Sequence, residues 1–359
     1  MEAVEVNSNN HLTWDQFENA TTDQKVDFFK RDGKIFDVLI SQQFNRDLLE
    51  ELIRIADAIR KIAKRKKGMD WLQSLMSHKR AMLYFVQPST RTFLSFLNAC
   101  HILGIRSSEV RDPSTSSEVK GETPEDTIRT FSSYVDMIIM RYPKEGFAEK
   151  ASFVLNQTDR PIPIINAGSG KDQHPTQALL DIYTLHRSFD DMGGIEGKSI
   201  AMVGDLLRGR TVRSLSYLLT NYPKVKIYYV SPPQLRMGND IKNFLKSKST
   251  PFFEVDSIEE ILPIVDAVYM TRIQDEWDKN GESKETNYDR YSLLEKHMNV
   301  MKKTAIIMHP LPRRNEIDVK VDSDPRAMYW RQERNGMWIR AALLIKIFGY
   351  EEVVMTYSD

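Results

Sequence analysis

The sequence predicts an α/β protein built from two doubly wound parallel-sheet domains. Short apolar runs alternate with amphipathic helical stretches along most of the 359 residues, and that alternation implies a parallel sheet covered on both faces. The length accommodates two domains of ordinary size. The stretch Asp190-Asp191-Met192-Gly193-Gly194, after a long helical segment, offers a natural boundary between them.

Taken in order, residues 1–34 are polar and weakly periodic and read as an appendage. Over 45–67 the pattern changes, with Leu48, Leu49, Leu52, Ile53, Ile55, Ala56 and Ile59 at helical spacing. That helix is expected to end in Lys64-Arg65-Lys66-Lys67, either a solvated end complementing the helix dipole or a nucleic-acid signal. Strands are expected at 81–86, 137–140, 162–166, 199–203, 226–230, 267–270 and 305–308. Long helices are expected at 176–187 and 338–348.

Composition excludes several classes. With 41% hydrophobic and 28% charged residues the chain is globular rather than disordered. Fifty basic residues balance fifty acidic ones, so no global charge draws it to nucleic acid or an anionic membrane. Cys100 is the single cysteine, which rules out an internal disulfide framework. Residues 1–15 lack the basic start and apolar core of a signal peptide, and no apolar run approaches the ~20 residues of a membrane helix. The expected location is the cytoplasm.

Open α/β sheets bind ligands beyond the carboxyl ends of their strands, and the chemistry-bearing segments follow the apolar runs. Ser89-Thr90-Arg91-Thr92 closes one strand and opens a helix, placing three hydroxyls and a guanidinium at a helix N-terminus. That suits a phosphate; an ordinary N-cap is the other reading. Arg141 follows the next strand. His174-Pro175-Thr176-Gln177 follows Gly168-Ser169-Gly170, as a site or as a cap. Gly204 to Thr211 lacks the spacing of a dinucleotide loop, and its Arg208 and Arg210 point instead to an anion. Arg272-Ile273-Gln274 and His309-Pro310-Leu311-Pro312-Arg313 complete the series. The two prolines around Leu311 predict a rigid turn that admits a cis bond at Leu311–Pro312. No metal-ligating cluster stands out, and no cofactor is expected.

In their order, Ser89-Thr90-Arg91-Thr92, Lys120-Gly121-Glu122-Thr123, Met140-Arg141, His174-Pro175-Thr176-Gln177, Gly209-Arg210-Thr211, Thr271-Arg272-Ile273-Gln274 and His309-Pro310-Leu311-Pro312 resemble the transcarbamylase family, and within it the aspartate carbamoyltransferase catalytic chains. Thr176 and Pro310 stand where the ornithine enzymes carry cysteines, which favours aspartate. The resemblance implies two sheet domains joined by long interdomain helices. A carbamoyl-phosphate-binding domain would cover 35–187, completed by 335–359, and an aspartate-binding domain 188–334. It implies transfer of a carbamoyl group to L-aspartate for pyrimidine synthesis.

By the same resemblance, Ser89, Thr90, Arg91 and Thr92 would take the phosphate, while Thr92, Arg141 and His174 would bond the carbamoyl oxygen. Gln177 and the backbone of Pro310 and Leu311 would fix the carbamoyl amino group. Arg210, Arg272 and Gln274 would hold the aspartate carboxylates, and Ser116 and Lys120 would enter a neighbouring subunit's site in a homotrimer. A larger assembly with regulatory or dihydroorotase chains is also compatible with it.

Four positions depart from the family pattern. Gln87 and Trp277 replace a glutamate and an arginine that help hold the closed form in relatives. Phe93 and Leu97, one helical turn apart, replace an arginine and a glutamate, through core packing or contact with a partner chain. The polar segment 278–288 reads as a plain surface loop or one closing over the second substrate. These departures keep two alternatives in view: a transcarbamylase with another amine acceptor, and a catalytically silent homologue serving as an assembly partner.

Overall fold

The structure, a computed structural model, describes residues 12–112, 121–171, 173–273 and 288–358. The chain divides into two compact units, the first of Met1–Gln43, Glu51–Pro175 and Arg340–Asp359, the second of Phe44–Glu50 and Thr176–Ile339.

The first unit starts with α1 (Trp14–Glu18), α2 (Thr22–Phe28) and the short antiparallel pair β1 (Lys30–Arg31) and β2 (Lys34–Ile35). Then come α3 (Arg46–Ile62), whose first turn belongs to the other unit, α4 (Lys66–Leu75), β3 (Arg80–Tyr84), α5 (Thr90–Ile102) and β4 (Arg106–Val110). The unit continues through α6 (Pro124–Ser132), β5 (Met137–Met140), α7 (Phe147–Asn156) and β6 (Ile164–Asn166). Its sheet is parallel, in the order β4-β3-β5-β6. All residues of β5 and β6 are buried, as continuous apolar runs covered on both faces require.

The second unit holds most of α8 (Pro175–Phe189), then β7 (Ser199–Val203), α9 (Arg210–Leu219), β8 (Lys226–Val230), α10 (Asn239–Ser247), β9 (Phe252–Val255), β10 (Ala267–Met270) and β11 (Ile306–Met308). Its parallel sheet runs β11-β10-β7-β8-β9. α11 (Tyr329–Phe348) leaves this unit and ends in the first, where α12 (Glu351–Ser358) follows. Among the described residues no helix is long and apolar enough to cross a membrane.

The N-terminal segment, expected as an appendage, is part of the first unit from Trp14 onward. Phe17, Phe28 and Phe29 are buried with Phe153 of α7 in one core cluster, their rings within 6.2 Å of one another along the chain of contacts. Capping boxes start both small helices: the Thr13 and Thr21 hydroxyls accept the Gln16 and Gln24 N–H groups, whose side chains accept in return. Such caps stabilise a helix by about 1 kcal/mol each. The aromatic spacing is too short for a periodic signal, and it is the packing partner on α7 that gives the segment its structure.

The basic run does not end one long helix. α3 stops at Ile62 and α4 starts at Lys66, so the run supplies part of the turn, Lys64 and Arg65, and the first residues of α4. Gly68 explains the closeness, since a Cβ there would stand 2.1 Å from the Ile62 carbonyl oxygen.

Phe93 belongs to the core of the first unit. It is 3% exposed, its ring meets Phe85 edge-on at 5.4 Å, and the Arg111 guanidinium lies 4.3 Å over it. Leu97, one turn on, is half-buried. Phe93→Ala should therefore lower the unfolding free energy by about 3–4 kcal/mol in a denaturant titration. A loss under about 1 kcal/mol would place this side chain outside the core.

Candidate active site

In the first unit's sheet, β3 is flanked by β4 on one side and β5 on the other. The gap between β3 and β5 is thus the topological switch point, where open α/β sheets receive ligands. Tyr84 stands beside Met140, so the two strands finish level. The Arg141 N–H donates to the Tyr84 carbonyl at 2.8 Å and the Gln87 N–H to the Arg141 carbonyl at 3.1 Å. These bonds carry the strand order across into the loops, and bring Arg141 beside the turn that leads to Ser89.

Ser89 occupies the N-cap position of α5 in extended backbone, yet its hydroxyl makes no capping bond. The first turn of any helix leaves N–H groups without intrahelical partners. With the capping role untaken, the orphan N–H groups at Ser89, Thr90, Arg91 and Thr92 are those of a helix end that suits an anion. Thr92 is buried and Arg91 half-buried.

The third wall follows β6. Asn166, 1% exposed, accepts the N–H groups of Gly168 and Ser169 at 2.9 and 2.8 Å. Its amide donates to the carbonyls of Leu39 and Gln173, the latter next to His174. Gly168 has φ +93°, and a Cβ there would stand 2.6 Å from His174 Cδ2 and 3.0 Å from Arg141 Nη1. The imidazole and the guanidinium therefore close on the same point from two elements, with Arg141 Nη1 also donating to the Ala167 carbonyl at 3.3 Å. Gln87 has a local partner here: its Oε1 accepts the Gly170 N–H at 3.1 Å. The departure at position 87 thus clips the β3 turn to the glycine loop.

In the second unit the switch point lies between β7 and β10, with Val203 beside Met270. Gly204 (φ +117°) lets the chain pass Thr271, whose carbonyl oxygen would be 2.3 Å from a Cβ. Arg210 opens α9 after β7, and Arg272 follows β10; both are half-buried. Arg208, the other arginine of the loop, pairs with the buried Asp205 at 3.7 Å.

Gln177, on the first turn of α8, is buried and donates to Asp181 Oδ1 at 3.0 Å. After β11 the chain turns sharply: Leu311 has φ +51° and precedes a cis bond to Pro312. Its N–H donates to His309 Nδ1 at 2.7 Å, and His309 Nε2 meets Glu316 Oε1 at 2.7 Å. That pairing, set against burial, holds the Glu316 carboxyl below its ordinary pKa. Burial pushes the Asp181 carboxyl up to about 7, opposed by hydrogen bonds from Gln332, Tyr269 and Gln177.

Each unit thus gathers its own share. The first holds Ser89, Thr90, Arg91, Thr92, Arg141 and His174, and the second Gln177, Arg210, Arg272, Pro310 and Leu311. Ser116, Lys120, Gln274, Trp277 and nearly all of 278–288 lie outside the described residues. Asn166, Asp181, Glu316 and Gln332 do not stand out in the sequence: the first, second and fourth are buried polar residues in stretches that read as ordinary strand or helix, and Glu316 is half-buried in a loop. Among the described residues no group of His, Cys, Asp and Glu could hold a metal ion.

Residues 37–187 match the aspartate/ornithine carbamoyltransferase carbamoyl-P binding domain, and 196–347 the Asp/Orn binding domain. A chloroplastic aspartate carbamoyltransferase of Arabidopsis thaliana is 44% identical over 315 residues, 87% of this chain and 77% of the relative. The aspartate carbamoyltransferase catalytic subunit of Clostridium novyi is 41% identical over 308 residues, 86% of this chain and 96% of that one. Among solved structures, aspartate transcarbamoylase from Trypanosoma cruzi in complex with carbamoyl phosphate superposes with a TM-score of 0.80 at 34% identity, covering 88% of this chain and 96% of that chain.

Proposed function

The chain belongs to the aspartate/ornithine carbamoyltransferase family, and from that premise we infer that it transfers the carbamoyl group of carbamoyl phosphate to the amine of L-aspartate. The products are N-carbamoyl-L-aspartate, a pyrimidine precursor, and phosphate. The observation that carries the residue-level reading is the approach of His174 and Arg141 at Gly168, beside the N-terminus of α5.

In this reading Ser89, Thr90, Arg91 and Thr92 bind the phosphate, supported by the helix N-terminus and the uncommitted Ser89 cap. Arg141, His174 and the Thr92 hydroxyl donate to the carbamoyl oxygen. The aspartate amine attacks the carbonyl carbon, that oxygen gains negative charge, and fixed donors aimed at it lower the barrier. As the tetrahedral intermediate collapses, the carbon–oxygen bond to phosphate breaks and the electron pair leaves with the phosphate. Arg91 offsets the charge there. The amine loses its proton, for which the departing phosphate is a suitable acceptor. Gln177 and the carbonyls of Pro310 and Leu311 accept from the carbamoyl amino group, so a substrate without N–H donors at that point is disfavoured. Arg210, Arg272 and Gln274 hold the two carboxylates of aspartate.

Ser116 and Lys120, entering from a neighbouring subunit, belong to the same proposal, with a homotrimer, its association with regulatory or dihydroorotase chains and a cytoplasmic location. Sedimentation and cell fractionation test these. The reading with another amine acceptor loses one of its motives, because Gln87 has a bond of its own to Gly170. Two cationic residues, Arg210 and Arg272, also oppose a diamine. Purified protein incubated with carbamoyl phosphate and a panel of amines should carbamoylate aspartate alone. Product with a different amine, or none with any, would overturn the assignment.

A further inference from the structure

Within the second unit one buried carboxyl joins two groups that the proposed reaction uses. Asp181, on α8, is 0% exposed. Its Oδ1 accepts from Gln177 Nε2 at 3.0 Å and from Gln332 Nε2 at 2.7 Å, and its Oδ2 from the Tyr269 hydroxyl at 2.8 Å. Gln332 then uses its other end: its Oε1 accepts the His309 N–H at 2.9 Å. His309 Nδ1 in turn accepts the Leu311 N–H. A continuous path of hydrogen bonds therefore runs from Gln177 through Asp181 and Gln332 to the turn that carries Pro310 and Leu311.

We propose that Asp181 is the positioning residue for the carbamoyl amino group, fixing the amide of Gln177 and the direction of the Pro310–Leu311 carbonyls together. This rests on the reading that Gln177, Pro310 and Leu311 take that amino group. The physical reason is the asymmetry of an amide. One end donates and the other accepts, and only its partners decide which end faces a ligand. Asp181 Oδ1 offers only lone pairs, so it draws the NH2 ends of both Gln177 and Gln332. Gln177 Oε1 is then the end that can accept from a ligand N–H. Gln332 Oε1 is likewise committed to the His309 N–H, which fixes the chain entering the turn. Leu311 sits in the left-handed region, costly for a branched side chain, and the anchored His309 ring holds it there. The arrangement makes the site an acceptor cage for an NH2 group rather than a mixed surface.

Two substitutions separate this role from general support of the fold. Asp181→Leu keeps the branched shape of the side chain, with a larger volume, and removes every acceptor. Asp181→Asn keeps an acceptor at Oδ1, with its amide nitrogen turned to the Tyr269 hydroxyl oxygen. Binding of carbamoyl phosphate and of inorganic phosphate is measured on each purified full chain. Asp181→Leu should weaken carbamoyl phosphate by roughly 100-fold, the effect of a small misplacement of binding groups, while phosphate keeps its affinity. Asp181→Asn should recover most of the loss. Parental affinity for carbamoyl phosphate in Asp181→Leu, an equal loss for both ligands, or no recovery in Asp181→Asn would each overturn the proposal. Should Asp181→Leu not fold, Gln332→Leu cuts only the branch to His309 and must show a smaller loss of the same selective kind; none would count against Asp181. Gln177→Ala tests the underlying reading separately: if it too leaves carbamoyl phosphate binding intact, the amino-group assignment is what fails.

Discussion

Arg91→Ala should reduce kcat/KM by about 10³-fold or more, the larger end of what a single preorganised donor supplies. The side chain sits in the first turn of α5, where the helix end already favours an anion. A guanidinium adds a full charge and a planar fork that matches two phosphate oxygens. In the proposed reaction, charge on those oxygens grows as the bond to the carbamoyl carbon breaks. The loss should therefore appear in kcat as well as in the affinity for carbamoyl phosphate. Arg91→Lys retains the charge without the fork and should recover only part. Steady-state rates with both substrates varied decide the matter, and near-parental turnover in Arg91→Ala would remove the phosphate from this turn.

Gly168→Ala comes next in size, with an expected fall in kcat/KM of about 100-fold. The added methyl would enter space held by the His174 ring and the Arg141 guanidinium, so both proposed donors to the carbamoyl oxygen must move at once. Backbone strain adds to this, because φ +93° is a conformation alanine adopts only at a cost. Far-UV circular dichroism should stay parental while activity falls, since the change lies in a loop. Full activity in a folded Gly168→Ala protein would mean that the two side chains do not act at that point.

Much of the sheet architecture is legible in the sequence because central parallel strands are buried on both faces. β5 reads Met-Ile-Ile-Met and β7 ends Ile-Ala-Met-Val, runs that only a covered sheet explains. β4 and β9 escape this reading. Both are edge strands with exposed or half-buried residues throughout, and Arg-Ser-Ser-Glu-Val carries no apolar run to find. The start of α11 is hidden for a related reason: Tyr329 to Met337 is mostly polar, although Tyr329 and Gln332 are fully buried.

The candidate site divides along the same physical line. Ser89 to Thr92, Arg141, Arg210 and Arg272 announce themselves by following a strand, where sheet topology sends ligands. Asn166 and Asp181 do not, for they touch other protein groups. An Asp one turn after Gln177 resembles any polar residue on a helix. Its meaning comes from Tyr269 and Gln332, 88 and 151 residues away along the chain, and no local pattern can anticipate partners at that distance.

The sharp turn after β11 has a chemical consequence of its own. With the Leu311 N–H directed at Nδ1 and Glu316 at Nε2, the ring proton of His309 is confined to Nε2 and the lone pair of Nδ1 is occupied by the backbone. A general base needs a lone pair that is open at the moment of reaction. His309 therefore has no part in shuttling protons during turnover. Its imidazole serves as a fixed tautomer, a rigid peg of the backbone.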